Sequence, residues 1–191
     1  MLSYTYDASD KDNETWLYLS ALGKVKRIAS GSDDEETEPT SMFGSEISTE
    51  DQETGKLDDY TYTVLQRGTY KGRPVAVIES VPTPQRLQHT RYGKVRTWLD
   101  TERFVSLKIQ MFDKRGNAIK QVSVAQVEKI NGIWLARSMT FKNLVSQRLT
   151  NMKIKAITFG LNIDEGFLTQ RALTDQAFRQ RHLKILREQA Q

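Results

Sequence analysis

Residues 91–142, RYGKVRTWLDTERFVSLKIQMFDKRGNAIKQVSVAQVEKINGIWLARSMTFK, carry the pattern that decides the fold. Three sets of residues recur at every second position or in phase with it: Val95, Thr97 and Leu99; Val105, Leu107, Ile109 and Met111; and Leu135, Met139 and Phe141. A period of two places each set on one face of a strand and its polar neighbours on the other. A further strand is predicted around Val122 and Val124. The connectors agree. Asn131-Gly132 is the strongest turn signal, because both residues tolerate the positive φ of a type I′ turn. Asp113–Gly116 reads as a loop built on a type I turn. The unit is an antiparallel meander with one apolar face, and something apolar must cover that face.

Outward from this core, Leu2, Tyr4 and Tyr6 alternate like a strand and pair plausibly with residues 15–19 across the polar turn DASDKDNE. ALGKVKRIAS reads as a basic strand in an edge position. GSDDEETEPT is an acidic loop; Asp33, Asp34, Glu35 and Glu36 are consecutive, whereas a calcium loop spaces its ligands at alternate positions. SMFGSEISTEDQETGKL reads as a short helical lid or plug, with Ser48 or Thr49 as its cap. Strands resume at DYTYTVLQRG and RPVAVIESVP, joined by a turn at Gly72 and ended by Pro82 and Pro84. SQRLTNMKIKAITFG reads as a long final strand. TQRALTDQAFRQRHLKILREQAQ is helical in pattern, with residues 174–191 a basic terminal helix. Eight to ten mostly consecutive strands are expected, and a sheet of that size curls or closes.

The 191-residue chain has the length of a single domain, and such a domain buries roughly 70% of its unfolded surface. It has no cysteine, which excludes disulfides, thiol nucleophiles and thiolate metal sites. No apolar run reaches the roughly 18 residues of a spanning helix. Met1 leads directly into LSYTYD, so the sequence as given shows no signal-peptide pattern. The net charge of +4 conceals a polarity: residues 1–60 hold 15 acidic and 5 basic side chains, residues 61–191 hold 9 and 23. The plainest reading is acidic loops facing a basic sheet.

Catalytic patterns are not evident. The two histidines, His89 and His182, sit in no recognisable triad or metal set. Asp100 with Glu102, and Asp58 with Asp59, are the candidate carboxylate pairs, but Asp100 opens a turn where Asp is favoured for its local backbone bonds. Tyr60, Tyr62, Trp98, Phe104, Trp134 and Phe141 are spread among strands rather than interleaved with basic residues on one open face, so nucleic acid is not an expected partner. The sequence points to no enzyme, no cofactor and no metal.

The ordered succession WLYLSALGKVKRI, MFGSEISTED, DDYTYTVL, KGRPVAVIESVP, YGKVRTWLD with FVSLKIQMFDKRGNAIKQVSV, INGIWLARSMTFKN and LNIDEGFLTQRAL resembles the bacterial outer membrane lipoprotein-sorting proteins, a LolA-like family. The resemblance runs from about Trp16 to Leu173. It implies a mainly β (α+β) fold: a curved antiparallel sheet forming a LolA/LolB-like half-open β-barrel with short helices and a C-terminal helix. It implies one LolA-like domain over residues 1–191, lacking the family's signal and first helix and strand. It further implies a periplasmic, non-enzymatic carrier of acyl chains of lipids or lipoproteins, with an envelope transporter or outer-membrane acceptor as partner. The candidate lining of the hydrophobic cavity is Val95, Leu99, Val105, Leu107, Ile109, Met111, Val122, Val124, Met139 and Phe141, with Arg96 and Lys108 on the opposite face. The alternative is an accessory module that docks an envelope transporter complex without lipid cargo, through its basic face or terminal helix.

Overall fold

A computed structural model describes residues 1–6, 13–28, 41–48, 50–52 and 55–190. The acidic run at 33–36, most of the first turn and the Thr49 cap lie outside the described residues. The chain divides into two compact units, one formed by Met1–Ser32 with Ala156–Gln191 and the other by Asp33–Lys155.

The first unit contains a three-stranded antiparallel sheet of β1 (Leu2–Tyr4), β2 (Glu14–Leu19) and β3 (Lys24–Ile28), in that order. The expected hairpin is present, and basic β3 is an edge as its lysines suggested. Trp16 is buried, with the Tyr4 ring edge-on at 5.1 Å.

The expected terminal helix is interrupted in this unit. Residues 171–174 form a short helix and Gln176–Gln189 a longer one, with Asp175 between them. The Asp175 carboxylate accepts from the Phe178 amide at 2.9 Å and so caps the second helix, an N-cap that a continuous helix would lack. His182 stacks on Phe167 at 5.1 Å and leans on Phe178 at 4.4 Å.

The second unit is a seven-stranded antiparallel meander: β4 (Tyr60–Tyr70), β5 (Arg73–Pro82), β6 (Tyr92–Asp100), β7 (Ser106–Asp113), β8 (Ala118–Ile130), β9 (Ile133–Asn143) and β10 (Leu149–Lys153). Every neighbour in space is a neighbour in sequence, and among the described residues β4 and β10 are the open edges. A short helix, α1 (Pro84–Leu87), joins β5 to β6 behind the Thr83 cap.

The turns are those the residues require. Asn131 and Gly132 have φ of 49° and 84°, and Lys71 and Gly72 of 48° and 74°, both consistent with type I′ hairpins. The final strand is shorter than the sequence pattern suggests: pairing with β9 ends at Lys153, after which the Ile154 amide makes one more bond, to the Arg137 carbonyl. Register shifts interrupt the β4–β5, β6–β7, β7–β8 and β8–β9 pairings, and such bulges bend and twist a sheet. The fold implied by the resemblance, a curved, unclosed antiparallel sheet with few helices and one at the C-terminus, is the fold found.

Gly93 sits in one of these shifts, between Tyr92 and Lys94. A Cβ there would lie 2.6 Å from the Asp113 carbonyl oxygen and 2.9 Å from the Lys114 Cα, both backbone atoms that cannot swing aside. Gly93→Ala is therefore expected to destabilise the unit by about 1–3 kcal/mol, visible as a lowered melting temperature. An unchanged melt would show that β6 and the β7–β8 turn can separate there.

Candidate functional site

Directly paired residues of an antiparallel sheet share a face, and the register assembles one row across six strands: Ile78, Thr97, Ile109, Val122, Phe141 and Thr150. A second row joins Ser80, Val95, Met111, Lys120 and Asn143. A third joins Val124, Met139 and Met152. Val95, Ile109, Met111, Val122, Val124, Met139 and Phe141 thus lie on one face. Leu107 follows the same alternation on β7 and is buried, and Leu99 stands opposite Ala76. Val105 lies outside the strand: Phe104 before it has a φ of 54°, β7 begins only at Ser106, and the Val105 carbonyl accepts from the Asp100 amide at 3.0 Å. On the other face Arg96 pairs with Gln110 and Lys108 with Trp98, the Lys108 ammonium 4.3 Å from the indole centroid.

Tyr92, Met111, Val122 and Phe141 form the buried centre of the apolar face, with Ile47, Val95, Ile109, Ile119, Met139 and Met152 packed around it. Ile47 is the contribution of the insert at residues 41–52, which was expected as a short helical lid or plug and contains two 3-10 turns, Met42–Gly44 and Glu50–Gln52. A buried charge fixes it. Lys120 stands on the apolar face at 3% exposure, and its ammonium meets the Asp51 carboxylate, itself 1% exposed. Asp51 also accepts from the Tyr92 hydroxyl at 2.7 Å and from the Ser48 amide at 2.7 Å. Glu46 adds an outer tie: its amide donates to Thr150 at 2.9 Å, and its carboxylate accepts from Asn143 at 3.0 Å.

The neighbouring Glu50 carboxylate accepts from the Thr90 hydroxyl. Burial raises its pKa above the ordinary carboxylate value, against the lowering effects of Thr90 and Arg91. Burial likewise pushes the Tyr92 phenol up, beside the Asp51 charge. At the far end of β6, Asp100 is fully buried. Burial there favours the neutral acid, but a hydrogen bond from Arg73 and backbone bonds from Glu102 and Arg103 together outweigh it and hold the carboxyl below its ordinary range. This is a structural clamp, in keeping with its reading as a turn residue.

Sequence reasoning missed Lys120, Asp51 and Tyr92. A signal for Lys120 existed: it falls in phase with Val122 and Val124, so an apolar face would carry a charge. No group of three or more His, Asp or Glu residues poised for a metal occurs among the described residues.

Residues 1–175 match the model of a family described as "-like: Uncharacterized protein". The chain belongs to that family. No curated protein matches the sequence. Among solved structures, a domain described as an outer membrane lipoprotein-sorting protein from Vibrio parahaemolyticus is 26% identical, with a TM-score of 0.76 over 86% of this chain and 67% of that one. A DUF1329 family protein from Desulfovibrio piger is 23% identical, with a TM-score of 0.80 over 90% and 69%. A LolA superfamily protein from Nitrosomonas europaea is 15% identical, with a TM-score of 0.52 over 82% and 66%. The latter two establish a shared fold. The chain spans about two thirds of the length of each.

Two outcomes follow from the plug's chemistry. Lys120→Met leaves the Asp51 carboxylate buried without its cation and is expected to cost about 3–5 kcal/mol, while adding Asp51→Leu recovers most of the loss; denaturant titration of the single and double variants measures both. Glu50 is a carboxyl whose folded pKa is raised, so the fold binds more protons than the unfolded chain and stability falls as pH rises above 4.5, the unperturbed value. Glu50→Gln removes that loss, and its melting temperature should gain on the parent's as pH rises from 4 to 7.

Proposed function

We propose that the chain is a periplasmic, non-enzymatic carrier that holds an acyl chain of a lipid or lipoprotein against the apolar face of its seven-stranded sheet. The observation that carries this reading is the cross-strand assembly of that face, seen beside a 26%-identical domain described as a lipoprotein-sorting protein. Residues that alternate along four strands converge on one apolar surface. The plug fills the Tyr92 end of that surface with Ile47 and Asp51. The cargo in this reading takes the other end, beside Leu99; Leu107 and Val124 there are already buried and Met139 packs on the plugged cluster, so binding requires that end to open. Methionine suits such a site, because an unbranched thioether adapts to cargo of variable shape.

The magnitude is adequate. Each methylene removed from water contributes about 0.8 kcal/mol, so eight give roughly 6 kcal/mol, equivalent to a dissociation constant of tens of micromolar before any headgroup contact. An envelope transporter that loads the carrier and an outer-membrane acceptor that unloads it would be its partners. A protein that must release its cargo has no use for tighter burial.

Native mass spectrometry of gently purified protein, with lipid extraction, is expected to reveal a co-purifying acyl species. Displacement of a fluorescent fatty acid should be at least tenfold weaker in Met139→Lys than in the parent, with circular dichroism confirming that the variant is folded. A clean apo mass after incubation with fatty acids, phospholipids and lipopeptides would overturn the carrier reading.

A further inference from the structure

A second cation shares the apolar face with Lys120. Arg67 of β4 stands opposite Ala76, which stands opposite Leu99, so Arg67 lies in the same cross-strand row as the residue that marks the cargo end. A bulge puts it there. The one register shift between β4 and β5 falls between Val64 and Gln66. In an uninterrupted strand Gln66 would stand opposite Ala76 and Arg67 would turn to the other face. With the bulge, Tyr62, Val64 and Arg67 stand opposite Ser80, Ile78 and Ala76, alternate residues of β5 that share the apolar face. Bulges beside functional sites re-aim a side chain in this way.

The two cations differ in what meets them. Lys120 is buried against the Asp51 carboxylate. Arg67 is exposed, it is the single charge among the eleven residues of β4, and among the described residues no carboxylate lies within ion-pairing distance of it. Its neighbours on the same face are apolar and open to water, Val64 at 51% and Tyr62 at 48% exposure. The Val64 row continues through Ile78 and Thr97 to Ile109. Adjacent rows on one face are about 7 Å apart, two residues along a strand. That distance is within the span of an arginine stem, so an unpaired guanidinium borders exposed apolar surface.

We infer that Arg67 anchors the headgroup of the cargo, and that the cargo is an amphiphile with an anionic head, a carboxylate or a phosphate. This rests on the carrier reading and narrows it. A hydrocarbon chain laid against Val64, Ile78 and Leu99 brings its polar end to the open edge of the sheet, where β4 meets water. There the planar guanidinium offers paired N–H donors that match two oxygens of a carboxylate or phosphate and gain far less from an uncharged head. Lys120 cannot serve in this role, because its ammonium is committed to Asp51. The chemistry therefore favours a fatty acid or a phosphate-headed lipid over the ester- and amide-linked acyl groups of a lipoprotein.

The test is a titration of the full chain with decanoate, decyl phosphate and decanol, three heads on one chain length, at mildly alkaline pH so that the carboxylate is ionised. The parent is expected to bind both anions about tenfold more tightly than decanol. Arg67→Gln should abolish that preference and Arg67→Lys should keep part of it. Arg115→Gln, which removes the same charge from an exposed turn, should keep all of it. Circular dichroism checks that each variant is folded. Inorganic phosphate should not compete; competition as strong as that of decyl phosphate would make this a free-anion site and overturn the inference. Equal affinity for all three ligands, or a preference that survives Arg67→Gln, overturns the headgroup role and leaves the carrier reading standing. Failure of all three ligands to bind overturns both.

Discussion

The seven-stranded unit turns on a buried ion pair, the Lys120 ammonium with the Asp51 carboxylate. A cation on the apolar face of a sheet is tolerable only if a counter-charge comes with it into the protein. The partner here arrives from the insert at residues 41–52, far from β8 in sequence. Once Asp51 is committed, Ile47 four residues earlier is carried onto the Tyr92, Met111, Val122 and Phe141 cluster. The Tyr92 hydroxyl and the Ser48 amide complete the carboxylate's bonding. One electrostatic obligation therefore decides which part of the apolar face is filled by the chain itself.

A second buried carboxylate fixes the other end of β6. Asp100, with no exposed surface, gathers Arg73 from the start of β5 and the amides of Glu102 and Arg103 from its own turn. Arg103 in turn lies 5.0 Å from the Trp134 ring at the start of β9. Strand β6 is thus anchored through Tyr92 at its first residue and Asp100 at its last. Between these points the apolar rows run across the sheet without a charged interruption on β6 or β7 on that face. Rigid ends with an apolar span between them hold the shape of that face.

The two open edges are not equivalent. Strand β10 has five residues, too few to pair extensively, while β4 has eleven and exposes nearly all of them. An antiparallel meander that does not close must end somewhere, and the length of its last strands decides where another chain can add to it. The bulge at Leu65 lies on the longer edge. It changes which side chains of β4 share a face without ending its pairing to β5.

The alternation at residues 95–124 and 139–141 was enough to determine the meander, the Asn131-Gly132 turn and much of its apolar face, because a period of two and the φ demands of an Asn-Gly turn are local properties of the chain. It determined seven of the ten proposed lining residues as face-mates by register, with Leu107 and Leu99 following, and misplaced Val105 because the left-handed backbone at Phe104 delays the strand. What covers the face was decided only by tertiary structure. Asp51 and Lys120 are 69 residues apart, and neither carries any mark in the sequence of the other. The break in the terminal helix was settled by whether Asp175 turns its side chain to cap Phe178, a choice between two local structures that helical periodicity alone leaves open. The division into a three-stranded and a seven-stranded sheet was likewise tertiary: every strand shows the same alternation, and the partners that each edge accepts depend on contacts formed only once the chain has folded.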